Sequence, residues 1–340
     1  MGVNLKNIVI SRQISLKDLA GKVVAIDAMN ALYQFLATIR QADGTSLMDS
    51  QGRVTSHLSG LFYRTVNFLE EGIKPVYVFD GEPPALKART VDERKKIREE
   101  AHEKWIDALE KGDLEEARKY AQAASFITDE MVEECKKLLE AMGVPYVQAP
   151  SEGEAQAAFM ARRGDAWCVA SQDYDSLLFN APRLVRNLTV SGRRKLPGKN
   201  IYVKIETELI SLDEVLRTHG ITREQLIAIG ILLGTDYNEG VKGVGVKTAL
   251  KLIKEYGSLK GIIAAKGFTF EVPVEEVERI FLNPKITEDY TLTWRPPDEE
   301  KIIKILCDEH DFSKERVTKA LSRITKQERR TAQASLERFF

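Results

Sequence analysis

The feature that most limits what this chain can fold into is an alternation. Short apolar runs, VVAID (23–27), PVYVFD (75–80), PYVQ (145–148), WCVAS (167–171) and LVRNL (184–188), are separated by stretches with helical spacing at 28–40, 55–71, 129–142 and 152–163. β-Branched and aromatic residues fill the short runs, and Ser, Thr or Asp stands near the start of several longer ones, the pattern of strands and capped helices. Strand–helix–strand repetition with crossovers of this length predicts an α/β fold built on a mostly parallel central sheet flanked by helices. One stretch breaks the rhythm: residues 83–125 are strongly charged, strongly helical and poor in core residues, so they are expected to project from the body as an insertion. After Leu209 the chain reads as helical, with short turns around 234–245 and closing helices over 298–310 and 313–326.

No Pro-, Gly- or Ser-rich linker divides the 340 residues, which favours one large body with insertions over separate modules. Hydrophobic residues, 43% of the total, suffice for a sizeable core, and the 30% charged residues are interspersed with them. No apolar run approaches the ~18–20 residues that span a bilayer, and the start MGVNLKNIV lacks the segments of a signal peptide, so a cytoplasmic protein with no membrane role is expected. Lys6 stands where a myristoylation signal needs Ser or Thr. Cys135, Cys168 and Cys307 are odd in number and widely spaced, and they read as reduced core residues. A net charge of −1 is unusual for a nucleic-acid binder, but the total says nothing about distribution.

Distribution is where the acids become informative. Asp27 and Asp80 end the first two apolar runs, Asp173 and Asp175 follow the fourth, Glu152 and Glu154 open a helix after a strand, and Asp236 sits in the LLGTDY turn. In open parallel sheets the carboxyl edge is where ligands bind, and these seven acids are placed to converge there. Each also has a purely structural use: Asp27 or Asp80 as a turn residue, Ser151-x-x-Glu154 as a capping box, the D-Y-D pair as loop acids. Asp173 and Asp175 share a face if extended, whereas Glu152 and Glu154 diverge by ~200° on a helix, so one of them is expected to act mainly through water. The combination argues against structure alone, because two carboxylates ~4 Å apart repel by ~4 kcal/mol at an effective dielectric of 20. Divalent cations relieve such crowding, and an oxygen-only set without a His or Cys cluster suits Mg²⁺ or Mn²⁺ rather than zinc. Seven acids suit two Mg²⁺ ions and two-metal phosphodiester hydrolysis, leaving a 5′-phosphate and a 3′-hydroxyl.

Read in order, VVAIDAMNALYQF, PVYVFDGEPPALK, APSEGEAQAAF, ASQDYDSLLF and LLGTDYNEGVKGVGVKTALKL strongly resemble the flap endonuclease family over nearly the whole chain. The resemblance implies a PIN-like 5′-nuclease fold with a helical arch over the site, and segments at 1–98 and 99–115 (nuclease and arch), 116–258 (nuclease with a duplex-binding helix–turn–helix relative), 259–330 (helical closing segment) and 331–340 (tail). It implies a metal site of Asp27, Asp80, Glu152, Glu154, Asp173, Asp175 and Asp236. It places Lys87 and Arg94 on the gateway helix against the scissile phosphate, with Arg98 extending the same face; without the acids, these cations read as a solvated helix face. Tyr33 is implied to stack on a base, although alone it reads as a core aromatic, and Gly2 to approach the site after removal of Met1.

The turn Gly240-Val241-Lys242-Gly243-Val244-Gly245, leading to Lys247 and Lys251, offers backbone N–H groups to a phosphate. Its P-loop spacing fails by one residue at Val246, which argues against nucleotide hydrolysis. The resemblance makes it a grip on duplex DNA in which carbonyls of Gly240, Val241 and Val244 hold K⁺. Arg193, Arg194, Lys195 and Lys199 form a further basic run, equally readable as a solvated loop. The ending Gln333-x-x-Leu336-x-x-Phe339-Phe340 resembles a peptide that docks on a sliding clamp, against the alternative of a helix burying Leu and Phe in its own core. The absence of a basic extension beyond Phe340 makes the chain look like an archaeal, nucleoid-associated member, expected to be monomeric and to act on branched DNA with a 5′ flap. A non-catalytic junction scaffold, or a related 5′ exonuclease or ribonuclease, is the alternative.

Overall fold

The computed structural model describes residues 2–41, 43–189, 193–195 and 202–324. Its centre is a seven-stranded sheet of β1 (Ser11–Ile14), β2 (Val23–Asp27), β3 (Lys74–Phe79), β4 (Tyr146–Gln148), β5 (Cys168–Ala170), β6 (Arg183–Arg186) and β9 (Thr207–Ser211), in the order β1-β9-β6-β5-β2-β3-β4. The five strands from β6 to β4 are mutually parallel, while β9 pairs antiparallel with β6 and with β1. A small antiparallel ribbon joins β7 (Arg193–Lys195) to β8 (Tyr202–Lys204), so the basic run at 193–195 is a strand; Lys199 lies outside the described residues.

The five parallel strands are the five apolar runs. Their alternation explains why both faces are covered: Ala25, Val76, Val78, Val169 and Leu184 point into one core, and Val24, Ile26, Tyr77, Phe79 and Val185 into the other. The second core is covered by α1 (Ala28–Thr38), α2 (Ser56–Glu70) and α5 (Asp129–Ala141). The first is covered by α6 (Gly153–Arg163), α7 (Asp175–Leu178), α8 (Leu212–His219), α9 (Arg223–Leu233) and α10 (Val246–Tyr256). Helix was expected after Leu209, but the strand Thr207–Ser211 runs two residues past it, with Leu209 and Ile210 alternating between the two cores.

The projecting stretch forms α3 (Ala88–Glu110) and α4 (Leu114–Ala123), turning at Gly112, whose φ of +71° favours glycine. Ala101, Ala108, Ala117 and Ala121 are buried in it, small side chains that let two charged helices approach closely. The segment limits at 98/99 and 115/116 fall inside these helices. The closing segment divides between the two cores: α11 (Leu259–Lys266) and α12 (Val274–Leu282) add Ile262 and Phe281 to the first, while α13 (Glu299–Ile303) and residues 314–324 add Ile302 and Leu321 to the second. Residues 304–308, expected as ordinary helix, form a π-helical turn. Cys135 and Cys168 are buried free thiols and Cys307 is half-buried. Among the described residues no helix is long and apolar enough to cross a membrane.

Candidate metal centre

The chain runs from β2 to β3 and β4 on one side, then returns to lay β5 on the other side of β2. That reversal opens a crevice at the carboxyl ends of β2 and β5, where such sheets bind ligands. Asp27 closes β2 and caps α1, its Oδ1 accepting from the Asn30 backbone N–H at 3.0 Å and its Oδ2 from Ser171 Oγ, just past β5, at 3.2 Å. Asn30 Nδ2 also donates to Asp173 Oδ2 at 3.2 Å. Asp175 opens α7 and accepts from the Val3 N–H at 2.8 Å, which brings the amino-terminal segment into the site. Asp80, one residue beyond β3, accepts from the Gly153 N–H at 2.7 Å.

The Ser151-x-x-Glu154 capping box does not form. Glu152 is the residue that enters α6, Ser151 Oγ donates to the Glu82 carbonyl, and Glu154 accepts from Ser176 Oγ at 2.8 Å. The helical divergence of Glu152 and Glu154 sends them to different neighbours: Glu154 stands with Asp27, Asp173 and Asp175, and Glu152 with Asp80 and Asp236. Asp236 sits at the tip of a short hairpin, β10 (Gly234–Thr235) and β11 (Asn238–Glu239), held by a Thr235 Oγ1 to Asn238 Oδ1 bond of 2.7 Å.

The seven carboxylates thus lie close enough to repel one another. Burial, then Asp80 and Asp173, push the Asp27 carboxyl up to about 8. Burial followed by Asp236 and Asp173 raises Asp175 to about 7, and burial followed by Asp27 and Asp175 raises Glu154 well above its usual range. Asp80 keeps a solvent-exposed face, yet the surrounding protein pushes it up against the pull of Lys87. Glu152 is likewise raised, by burial first, although Lys87 Nζ lies 2.6 Å from its Oε2. Asp236 is the reverse: burial opposes its ionisation, but Arg94, 2.5 Å away, and Lys87, at 3.7 Å, hold it below its ordinary value.

Among the described residues no three His, Cys, Asp or Glu side chains close around one point as a ready metal cage. The reason is visible in the bonds: backbone N–H groups, hydroxyls and the two cations each hold a carboxylate oxygen, and like charges keep their distance. Mg²⁺ does not need such a cage, because it keeps several waters and takes one or two carboxylates directly. An all-oxygen set with a large negative excess over its two cations fits hard divalent ions.

The remaining candidates are placed as follows. Lys87 lies in a 3₁₀ turn (Ala85–Lys87) just before α3 rather than on that helix, while Arg94 is on α3 and Thr90 Oγ1 donates to the Asp236 carbonyl at 2.7 Å. Tyr33 is half-buried, with the Arg98 guanidinium 4.9 Å from its ring centre, so it is not a core aromatic. A Cβ on Gly2 would lie 2.9 Å from both Asp173 Cβ and Asp175 Oδ2, which only glycine avoids. Gly240 passes so near Leu233 that a Cβ would overlap its carbonyl at 2.3 Å, and Gly243 has φ +83°. The Val241 N–H bonds to the Leu232 carbonyl, and the Val241 carbonyl already accepts from the Val244 N–H at 3.0 Å. Gly245 caps α10, and Lys242, Lys247 and Lys251 are exposed beside and along it. Gln333, Leu336, Phe339 and Phe340 lie outside the described residues. Sequence reasoning missed Asn30, Ser171 and Ser176, which aim the acids; their only sequence signal is that each lies within four residues of one.

Residues 1–101 match the XPG N-terminal domain and residues 143–236 the XPG I-region. The chain is 58% identical to flap endonuclease 1 of Pyrococcus furiosus, covering 100% of this chain and 99% of that protein. It is 60% identical to flap endonuclease 1 of Ignicoccus hospitalis, over 97% of this chain and 95% of the relative. Among solved structures, flap endonuclease-1 from Methanococcus jannaschii superposes with a TM-score of 0.76 at 47% identity, covering 96% of this chain and 98% of that one. The catalytic core of Rad2 in complex with DNA substrate shares the fold at 24% identity and a TM-score of 0.72, over 95% of this chain and 100% of that one.

Proposed function

This chain belongs to the flap endonuclease family, and from that premise we propose that it is a structure-specific nuclease. It hydrolyses DNA at the junction where a displaced 5′ strand leaves a duplex, in the service of replication and repair. The observation that carries the reading is the convergence of seven carboxylates from separate strand ends beneath two cations at the base of a helical arch.

Asp27, Asp80, Glu152, Glu154, Asp173, Asp175 and Asp236 are the residues that would hold divalent metal, two Mg²⁺ with Mn²⁺ able to replace them. Metal held there would supply Lewis-acid chemistry, lowering the pKa of a water and offsetting the charge that develops on the phosphate. Lys87 and Arg94, paired with Glu152 and Asp236 in the absence of substrate, turn to the scissile phosphate and stabilise the charge that develops on it. Tyr33, its ring already faced by Arg98, offers a stacking surface to a base of the strand being cut. Gly2 closes the site against Asp173 and Asp175 without a side chain to obstruct them. Lys242, Lys247 and Lys251, with the glycine turn at Gly243 and Gly245, grip duplex phosphates, and the Gly240, Val241 and Val244 carbonyls suit K⁺.

A 5′-flap duplex with Mg²⁺ should yield a cut near the junction and a 5′-phosphate product, and chelation with EDTA should stop it. Cutting that persists under chelation removes the metal mechanism. The tail from Gln333 to Phe340 is proposed to dock on a sliding clamp, with the nuclease itself a monomer. Deleting it should leave basal cutting intact and abolish stimulation by the clamp, and stimulation that survives the deletion would place the docking elsewhere.

A further inference from the structure

Beside the metal centre, between the arch base and α12, lies a pocket of about 310 Å³. Its apolar walls are Leu86, Ala155, Ile280 and Pro284 over a floor of Phe179, and the exposed, charged Glu276, Arg279 and Lys285 also line it. A volume of this order, mostly apolar with a few polar groups, is what small-molecule sites require. Phe179 is held rigidly: its ring lies 4.9 Å from that of Phe281, and its N–H donates to the Asp175 carbonyl at 3.0 Å. The floor is therefore built from the turn that carries a carboxylate of the metal centre.

Two residues join the pocket to the reaction. Glu152 belongs to the pocket wall and lies 2.6 Å from Lys87, and Leu86 precedes Lys87 in the 3₁₀ turn. A phosphate held by Lys87 is thus within a side chain's reach of the pocket mouth. Asn283, at the end of α12, places an amide on the rim, able to donate to or accept from the edge of a planar polar ring.

A strand cut at a junction exposes an unpaired base next to the reacting phosphate, and unstacking that base costs a few kcal/mol unless the protein takes it up. A base is apolar on its faces and polar at its edge, which matches apolar walls and a rim where the Asn283 amide stands among exposed charged side chains. We propose that this pocket receives an unpaired nucleobase from a nucleotide adjoining the scissile phosphate. The proposal rests on the flap-nuclease reading and adds a base subsite to it.

Two variants fill the pocket from different walls, Ile280→Trp and Ala85→Trp, and only a variant that melts like the parent is used. Flap substrates carry either a normal base or an abasic residue at each position flanking the cut in turn. Both kcat/KM with Mg²⁺ and affinity in EDTA are measured. In the parent, removing the base at one position should lower both about tenfold, ~1.4 kcal/mol. In the variants the intact flap should already show that loss, and the abasic flap no further one. An abasic loss of the same size in parent and variants overturns the proposal, as does a parent indifferent to the base at every position. Failure to cut any flap would strike the nuclease reading instead, while the affinity measurement, which needs no cutting, still decides the pocket.

Discussion

Asp175 and Asp236 repel one another in one cluster, yet burial and its acidic neighbours push the carboxyl of Asp175 up to about 7, whereas Asp236 is held below its ordinary value against burial by Arg94 and Lys87. The difference divides the centre. The half at Asp236 and Glu152 meets cations of the protein's own, supplied by the arch and its base. The half at Asp27, Glu154 and Asp175 is fixed by hydroxyls and backbone N–H groups, which aim its oxygens without neutralising them. On the proposed reading, the second half draws its countercharge from divalent metal, and the first releases Lys87 and Arg94 to a substrate phosphate.

The strongest way to break this division is to neutralise one acid from each half. Asp175→Asn should lower cleavage by roughly 10³-fold or more, because on the proposed reading the metal loses a ligand, while junction binding survives. Without metal it should melt higher than the parent, since an uncompensated buried charge has gone. Asp236→Asn should also impair cleavage but melt lower, because Arg94 and Lys87 lose their partner. Calorimetry in EDTA checks the pair, and melting shifts of the same sign in both variants would erase the distinction.

A smaller effect is expected from the cations. Lys87→Ala and Arg94→Ala should each lower kcat on the order of 10²–10³-fold with little change in KM, as befits groups that meet the phosphate mainly as its charge develops. Single-turnover kinetics on a flap substrate checks this. A rise in KM at constant kcat would show that they only bind the ground state, and that the arch is a clamp rather than part of the chemistry.

The parallel strands and the position of the acids were legible because both follow from local rules: apolar runs of strand length, and carboxylates where those runs stop. What was not legible depended on distant partners. Ser11–Ile14 is a polar edge strand, exposed at three of its four residues, and only its register with Thr207–Ser211 makes it a strand. Lys87 read as part of a helical face because its spacing from Arg94 is right, but Pro84 precedes the short 3₁₀ turn that holds it. Glu152 and Glu154 read as a misaligned pair. The misalignment is how they serve opposite halves of the centre, which no spacing rule shows without the positions of Lys87 and Ser176.

The gentlest test of the division is the pH dependence of the metal-free fold. In the unfolded chain Asp27 ionises near 3.8, but in the fold only near about 8, and Asp175 near about 7. Between those values the native state holds protons that the unfolded state has released, so stability falls as pH rises through the window. Asp236 works in the other direction, contributing stability above its unfolded value and losing it as pH falls through its lowered folded value. In EDTA the melting temperature should therefore decline by a few degrees from mildly acidic to mildly alkaline pH. Mg²⁺ should flatten the decline by supplying the charge that protons otherwise provide, and Asp175→Asn should remove the part that ends near about 7. A metal-free curve that is level or rises over this range would mean that the inner acids ionise without cost, and the centre would then have no unmet demand for cations.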